Sequence, residues 1–191
     1  MPPAPKIDTR RLLTRIAAGE TQAFGPIVRH YQKPLFGFLG RMGLPQSQAE
    51  EVAQETFLRA WRNLGKFDPA RAEFSTWLFT IARNLALNER GRSHGRELPV
   101  GDTEAQEPAC DQPAAGEMLD ASRRREWLQA ALARLRPAER TLLALVYTRE
   151  LSLDAIARIE HCEPGAIRTR LHRARQRLQQ LLMEGKDEYR S

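Results

Sequence analysis

Residues 162–183, CEPGAIRTRLHRARQRLQQLLM, carry the pattern that decides the fold of this chain. Apolar residues spaced by four, three and four positions lie on one stripe of an α-helix, within about 60° of arc at ~3.6 residues per turn. They are Ile167, Leu171, Ala174 and Leu178. We expect this stripe to pack inward, which directs the other side chains of the helix toward solvent.

The opposite side of this predicted helix is strongly basic. From residue 166 to residue 183 the chain contains five arginines and no Asp or Glu. Like charges four residues apart destabilise a helix unless an anion neutralises them, so the pattern favours an anionic partner. A basic helix that simply faces solvent is the alternative. The residues expected to point outward are Arg168, Thr169, His172, Arg173 and Gln176.

A shorter helix is predicted just upstream, over residues 152–161, SLDAIARIEH. A Gly-containing turn over residues 162–165 separates the two helices, an arrangement typical of a helix-turn-helix. In that motif the second helix enters the major groove of DNA, where an arginine can bind guanine through two hydrogen bonds or hold a phosphate. The sequence therefore predicts DNA contact through the basic helix.

Composition restricts the class of protein. The chain has 191 residues, a net charge of +6 and an isoelectric point near 9.9, which favours an anionic partner. The two cysteines lie far apart without a CxxC pair, which argues against a disulfide scaffold or a zinc ribbon. No signal-peptide segment and no apolar run of ~18 residues occurs, so we expect a cytoplasmic protein without membrane insertion.

Common motifs of catalysis and phosphate binding do not occur in the sequence. There is no GxxxxGK[ST], GxGxxG, HExxH or GxSxG motif, and the four histidines have no metal-ligand spacing. The sequence therefore predicts that the protein is not an enzyme and uses no cofactor or metal.

The sequence of the N-terminal half predicts amphipathic helices. One of them, which begins near Ser47, has acidic residues in its first turns. Ser47 and Glu50 have the spacing of a capping box at its start. Its exposed acidic face is formed by Glu50, Glu51, Gln54 and Glu55, and its apolar stripe includes Val52, Phe57 and Trp61. Two interpretations stay open, because the acids can stabilise the helix dipole or form a protein-binding surface.

A loop is predicted at residues 66–74, KFDPARAEF, because the Asp-Pro pair favours a turn. Ser75 is expected to cap the next helix, which presents Arg83 and Asn84 on its polar side. Aromatic residues beside a basic helix can stack on unpaired bases. For Trp77 and Phe79, helical spacing favours the core, and a base-stacking surface is the alternative.

The composition changes sharply after residue 96. Residues 97–122 contain seven acidic residues, three prolines and no Lys or Arg, a composition that cannot bury enough apolar surface to fold alone. We therefore predict an all-α protein with two small helical domains, residues 1–96 and residues 118–191, joined by a flexible acidic linker over residues 97–117.

Two parts of the chain together resemble a known family, the extracytoplasmic-function (group IV) sigma factors of bacterial RNA polymerase. Their region 2 is similar to the segments AFGPIVRHY and AEEVAQETFLRAWRNLGKFDPARAEFSTWLFTIARNLALNERGR. Their region 4, a helix-turn-helix domain, is similar to LRPAERTLLALVYTRELSLDAIARIEHCEPGAIRTRLHRARQRL. The resemblance implies an alternative sigma factor that directs core RNA polymerase to one promoter class and assists melting of the −10 element.

The same resemblance implies roles for three sets of residues. The residues implied to read the −35 element are Arg168, Thr169, His172, Arg173 and Gln176. The residues implied to recognise the −10 element are Phe67, Asp68, Ala70, Arg71, Phe74, Arg83 and Asn84. The residues implied to bind core polymerase are Glu50, Glu51, Val52, Gln54, Glu55 and Phe57.

The implied partners are the β′ clamp and β flap of core RNA polymerase, promoter DNA, and an anti-sigma factor that can hold the protein at the inner membrane. Four positions depart from the family pattern, namely Asn88, Ala155, Glu160 and Ala166. At position 160 the glutamate replaces a usually apolar residue, and Ile159 is expected to fill the gap. Without the resemblance, two other functions remain. One is a stand-alone helix-turn-helix regulator with an N-terminal sensing or dimerisation domain, and the other is a helical adaptor that binds only proteins.

Overall fold

The computed structural model of the chain describes residues 7–93, 115–148 and 150–185. These residues form eight α-helices, two short 3-10 helices and no strand, which confirms the all-α prediction. The α-helices are α1 (Thr9–Ala17), α2 (Phe24–Arg41), α3 (Gln46–Arg62), α4 (Phe74–Ser93), α5 (Ala115–Ala133), α6 (Pro137–Val146), α7 (Leu153–Ile159) and α8 (Pro164–Glu184). The 3-10 helices are Thr21–Ala23 and Leu64–Lys66.

The start of α3 differs from the predicted capping box. The helix begins at Gln46 with Pro45 as its N-cap, and no side chain caps its amide groups. Pro45 has a φ of −56° and a ψ of 155°, so the extended proline sets the helix start and leaves Ser47 inside the first turn. The predicted cap at Ser75 is also wrong, because α4 already begins at Phe74.

The core of the N-terminal half lies between α2, α3 and α4. Helix α2 contributes its buried apolar stripe to this core, and helix α3 contributes a row of small residues. Helix α4 contributes larger side chains. Phe38 of α2 and Phe79 of α4 meet edge to face, with ring centroids 5.5 Å apart. Phe79 is fully buried, as its helical spacing predicted, whereas Trp77 lies at the edge of the core.

The C-terminal half is a bundle of α5, α6, α7 and α8. Its core contains Leu135, Leu142, Leu143, Ile156 and Ile167. Helix α5 begins at Ala115, so residues 115–117, which the sequence assigned to the linker, are helical. The rest of the predicted linker, up to residue 114, lies outside the described residues together with residues 94–96.

The two halves contact each other along a seam, in which α2 packs against α6 and α4 packs against α7. The buried apolar side chains of both halves belong to one continuous cluster. The seam consists of the contacts between residues 9–93 and residues 115–184. Among the described helices, none is both long enough and apolar enough to cross a membrane.

The seam also contains buried arginines. Arg140 is only 7% exposed and donates hydrogen bonds to the carbonyl groups of Ala133 and Leu135. Arg90 donates to the carbonyl of Met42 at 3.1 Å, and Arg41 donates to the hydroxyl of Thr148 at 3.3 Å. Burial, and then the charge of Arg90, lower the pKa of Arg140 to about 10. The fold therefore places the charges of Arg90 and Arg140 close enough to repel each other, at a position where Arg140 has little access to water.

Candidate promoter-binding site

The helix-turn-helix has the predicted arrangement. Ser152 caps α7 by accepting a hydrogen bond from the backbone N–H of Ala155 at 3.1 Å. The chain then turns at His161, whose φ is +52°, and the N–H of Cys162 donates to the carbonyl of Ala157 at 3.0 Å. Pro164 is the first residue of α8, where its missing N–H costs no intrahelical bond.

Helix α8 divides into a buried stripe and an exposed basic face. Ile167, Leu171, Ala174 and Leu181 are buried against the rest of the bundle. All the residues predicted to read the −35 element are exposed: Arg168, Thr169, His172, Arg173 and Gln176. At ~100° per residue these five positions cover one continuous face. Within the described part of the chain, no arginine of α8 pairs with a carboxylate, so this face keeps its full positive charge.

The predicted −10 loop is built on an aromatic cluster. Phe67 contacts Phe74 and Trp77, with ring centroids 5.6 and 5.2 Å away. Phe74 is buried and also contacts Tyr31, so it anchors the loop to the core instead of facing solvent. Phe67 is half-buried. The aromatic cluster thus fixes the position of the loop while leaving part of Phe67 accessible.

The tip of this loop is a tight turn stabilised by its own aspartate. A carboxylate oxygen of Asp68 accepts a hydrogen bond from the backbone N–H of Ala70 at 2.9 Å. The second carboxylate oxygen lies 3.6 Å from Nε of Arg71. Asp68, Ala70 and Arg71 are all exposed. The three side chains at the tip therefore lie at the surface beside Phe67.

An apolar cavity of about 720 Å³ opens next to the loop, between α1, the end of α3 and residues 67–70. Its walls include Leu13, Ile16, Trp61 and Phe67, and Arg10 lies at its edge. The sequence assigned Trp61 to the core, but the residue is 37% exposed and contacts the ring of Phe24. Helical spacing could not separate a core position from the wall of a surface cavity.

Arg83 and Asn84 lie on α4, and the two side chains differ in exposure. Asn84 is exposed, whereas Arg83 donates from Nε to a carboxylate oxygen of Glu160 at 2.7 Å. Ile159 is buried, as expected from the departure at position 160, and Glu160 turns away from that core toward α4. One signal for this contact was present in the sequence, the charged residue at a usually apolar position, but nothing in the sequence indicated its partner.

The residues predicted to bind polymerase lie on α3 but not all at its surface. Glu50, Glu51 and Gln54 are exposed, and Glu55 pairs with Arg59 at 2.6 Å. Two further members, Val52 and Phe57, are buried or half-buried against the core. The structure therefore places an acidic surface on α3 and two apolar residues beneath it.

Family models and known relatives agree with this arrangement. The model of Sigma-70 region 2 matches residues 27–96, and the model of Sigma-70 region 4 matches residues 125–178. The chain is 33% identical to the ECF RNA polymerase sigma factor RpoE of Cereibacter sphaeroides over 83% of its length and 85% of the relative. It is 32% identical to the RNA polymerase sigma-H factor of Pseudomonas aeruginosa, over 91% of this chain and 93% of that one.

Solved structures with the same fold include two protein complexes. The sigma factor RpoE of Bartonella quintana, crystallised with the anti-sigma factor NepR, gives a TM-score of 0.63 at 29% sequence identity. The match covers 85% of this chain and 98% of the RpoE chain. CnrH in complex with the cytosolic domain of CnrY gives a TM-score of 0.67 at 24% identity over 92% of this chain and 97% of its own.

An all-α bundle followed by a helix-turn-helix with a free basic face is the architecture of a DNA-binding transcription factor. The matches to both sigma regions, in the same order along the chain, are more specific. The chain belongs to the extracytoplasmic-function sigma factors, which give bacterial RNA polymerase its promoter specificity.

Proposed function

We propose that the outward face of α8 reads the −35 element of the promoter in the major groove. The observation that carries this proposal is the uncompensated positive face of α8, with Arg168, Thr169, His172, Arg173 and Gln176 exposed together. Arginine can bind guanine through two hydrogen bonds or hold a phosphate, and Thr and Gln can bind base edges. The buried stripe on the other side of α8 fixes the orientation of this face.

The loop at residues 67–74 and helix α4 are proposed to hold the unpaired −10 strand. Flipping a base out of a duplex costs a few kcal/mol of stacking, which contacts to an aromatic surface and to the backbone can offset. Phe67 and the adjoining cavity, which Ala70 also lines, offer the apolar surface, and Asp68 and Arg71 are exposed on the same loop. Arg83 and Asn84 are proposed to hold the backbone of the strand, and Phe74 to position the loop from below.

Core polymerase is proposed to bind the acidic surface of α3. Glu50, Glu51 and Gln54 are exposed and available to a basic partner surface, which the resemblance identifies as the β′ clamp. Val52 and Phe57 are then positioning residues that hold α3 against the core. The C-terminal half is proposed to contact the β flap, so that both DNA-binding modules are placed by the polymerase.

An anti-sigma factor is a further proposed partner. The similar sigma factor RpoE of Bartonella quintana was co-crystallised with the anti-sigma factor NepR. We infer that a protein of this kind covers the present chain and keeps it from polymerase in the cytoplasm, where polymerase and promoter DNA are found.

The proposal is tested by reconstitution with core RNA polymerase. The chain and core are mixed, passed over a size-exclusion column and assayed for transcription from a library of promoter fragments. We expect co-elution with core and transcription from a subset of fragments that share −35 and −10 sequences. Tight sequence-specific binding to duplex DNA without polymerase, together with no co-elution, would instead identify a stand-alone regulator.

A further inference from the structure

Several polar contacts between described residues cross the seam. Two of them involve the proposed −10 surface, because Arg83 pairs with Glu160 and the carbonyl of Arg71 accepts a hydrogen bond from Arg158 at 3.3 Å. Both Arg158 and Glu160 belong to the end of α7, in the helix-turn-helix. Two further contacts are Arg41 with Thr148 at 3.3 Å and His30 with Glu150 at 3.5 Å.

The contact between Arg83 and Glu160 is an enclosed ion pair of the seam. Their side chains are 20% and 9% exposed, and Nε of Arg83 lies 2.7 Å from the carboxylate oxygen. A carboxylate and a phosphate both present oxyanions that a guanidinium binds in the same plane. Arg83 therefore cannot hold a DNA phosphate through Nε while it holds Glu160.

We propose that Glu160 takes the place of a −10 strand phosphate on Arg83 and thereby latches the helix-turn-helix over the −10 surface of the free chain. The inference rests on the proposed function of Arg83. Closure of the seam and binding of the −10 strand then exclude each other. Binding of the strand therefore lowers the population of the closed form, and closure weakens binding of the strand. Core polymerase, by holding the two halves apart, removes the latch as it assembles the promoter-binding form.

Other groups in the seam oppose closure, which makes the latch reversible. The Nε atoms of Arg41 and Arg140 are buried and have no hydrogen-bond partner in the described part of the chain. Burial lowers the pKa of Arg41 and of Arg90 as well as that of Arg140, which means that the closed form disfavours these charges. Opening the seam returns the guanidinium groups to water. The apolar contacts of the seam and the Glu160 latch therefore act against a charge penalty that favours opening.

The test measures closure and DNA binding in the full chain. Fluorophores are attached to cysteines introduced at the exposed positions Leu58 in α3 and Gln180 in α8, after both native cysteines have been replaced by serine. Energy transfer reports the distance between the halves. Fluorescence anisotropy with a labelled single-stranded oligonucleotide of the −10 sequence reports access to the proposed surface.

Glu160→Gln keeps the shape of the side chain and removes its charge. We expect this variant to lower energy transfer and to bind the oligonucleotide at least about fivefold more tightly than the wild-type chain. The matched control is Glu184→Gln, which removes a carboxylate that also lies 2.7 Å from an arginine, but within the C-terminal half. The control should leave both readouts unchanged. A double variant, Arg83→Glu with Glu160→Arg, should restore the energy transfer that Arg83→Glu alone reduces.

Unchanged energy transfer in Glu160→Gln would overturn the latch, and so would opening without tighter oligonucleotide binding. Failure of the proposed function would appear in a separate assay. If Arg83 does not hold the −10 strand, the holoenzyme carrying Arg83→Ala should open the promoter as well as the wild-type holoenzyme does. The latch does not affect this comparison, because polymerase holds the two halves apart in both proteins.

Discussion

Gly43 and Arg140 meet at the seam, and their contact leaves no room for a side chain on the glycine. Gly43 has a φ of +83°, and a Cβ atom placed on it would lie 2.8 Å from Nη1 of Arg140. The guanidinium cannot withdraw freely, because it donates hydrogen bonds to Ala133 and Leu135. A glycine is therefore needed both for the backbone conformation and for the close approach of the arginine.

We expect Gly43→Ala to lower the free energy of unfolding by about 1–3 kcal/mol, since it adds left-handed backbone strain and a steric contact. Urea denaturation followed by circular dichroism measures the change. Gly40→Ala is the control: this helical glycine has no neighbouring atom within 4 Å of a built Cβ, so alanine should raise stability by about 0.5–1 kcal/mol. Equal losses in the two variants would contradict the role given to Arg140.

A second prediction concerns the stability of the protein at alkaline pH. Burial raises the pKa of the Tyr31 hydroxyl above its ordinary value. The native state then retains this proton in a pH range where the unfolded chain releases it. The neutral Tyr31 hydroxyl therefore contributes to the free energy of unfolding. This contribution is fully present below about pH 10 and is lost as pH rises further.

Urea denaturation between about pH 8 and pH 11 measures this dependence. Tyr31→Phe should remove part of the alkaline loss of stability, because the buried group can no longer ionise. Tyr147→Phe serves as the control, since Tyr147 is 54% exposed, and it should retain the wild-type dependence. Identical alkaline slopes for wild type and Tyr31→Phe would show that ionisation of Tyr31 is not coupled to unfolding.

The outward face of α8 could be predicted from sequence because helical periodicity is a local property. Ile167 and Leu171 are buried and Arg173 is exposed, as their spacing requires. The pairing of Arg83 with Glu160 could not be predicted in this way. These residues are 77 positions apart, and only the packing of α4 against α7 brings them together.

Local competition explains the incorrect helix starts. Ser47 has a suitable partner in Glu50, but the extended backbone of Pro45 begins α3 before the serine can act as its cap. Glu50 instead accepts a hydrogen bond from the side-chain amide of Gln46 at 3.1 Å. The burial of Phe74 likewise depends on Tyr31 and Trp77, whose rings surround it only in the folded bundle.

A third prediction concerns the acidic surface of α3. Gln54→Lys places a positive charge beside Glu50 and Glu51 without changing the buried side of the helix. We expect it to weaken binding to core RNA polymerase by about tenfold or more, since a mismatched charge at a complementary interface is costly. Competition with labelled wild-type protein for core measures the loss.

The control for this surface is Glu20→Lys, which changes another exposed carboxylate of the N-terminal half. Glu20 pairs with Arg15 in a solvent-exposed ion pair, so its loss should affect stability little. Binding to core should stay at the wild-type level. If both variants weaken core binding equally, general electrostatic attraction explains the effect better than a specific α3 interface.

The fourth prediction addresses base recognition by α8. Arg173→Ala should reduce transcription from promoters that depend on the −35 element by about 5- to 150-fold, which corresponds to the ~1–3 kcal/mol of a two-hydrogen-bond base contact. Binding to core should not change, because Arg173 is exposed and has no partner in the described part of the chain. Arg170→Ala is the matched control, since it removes the same charge from the flank of the same helix. A loss of similar size in both variants, across all −35 sequences, would indicate phosphate binding instead of sequence reading by Arg173.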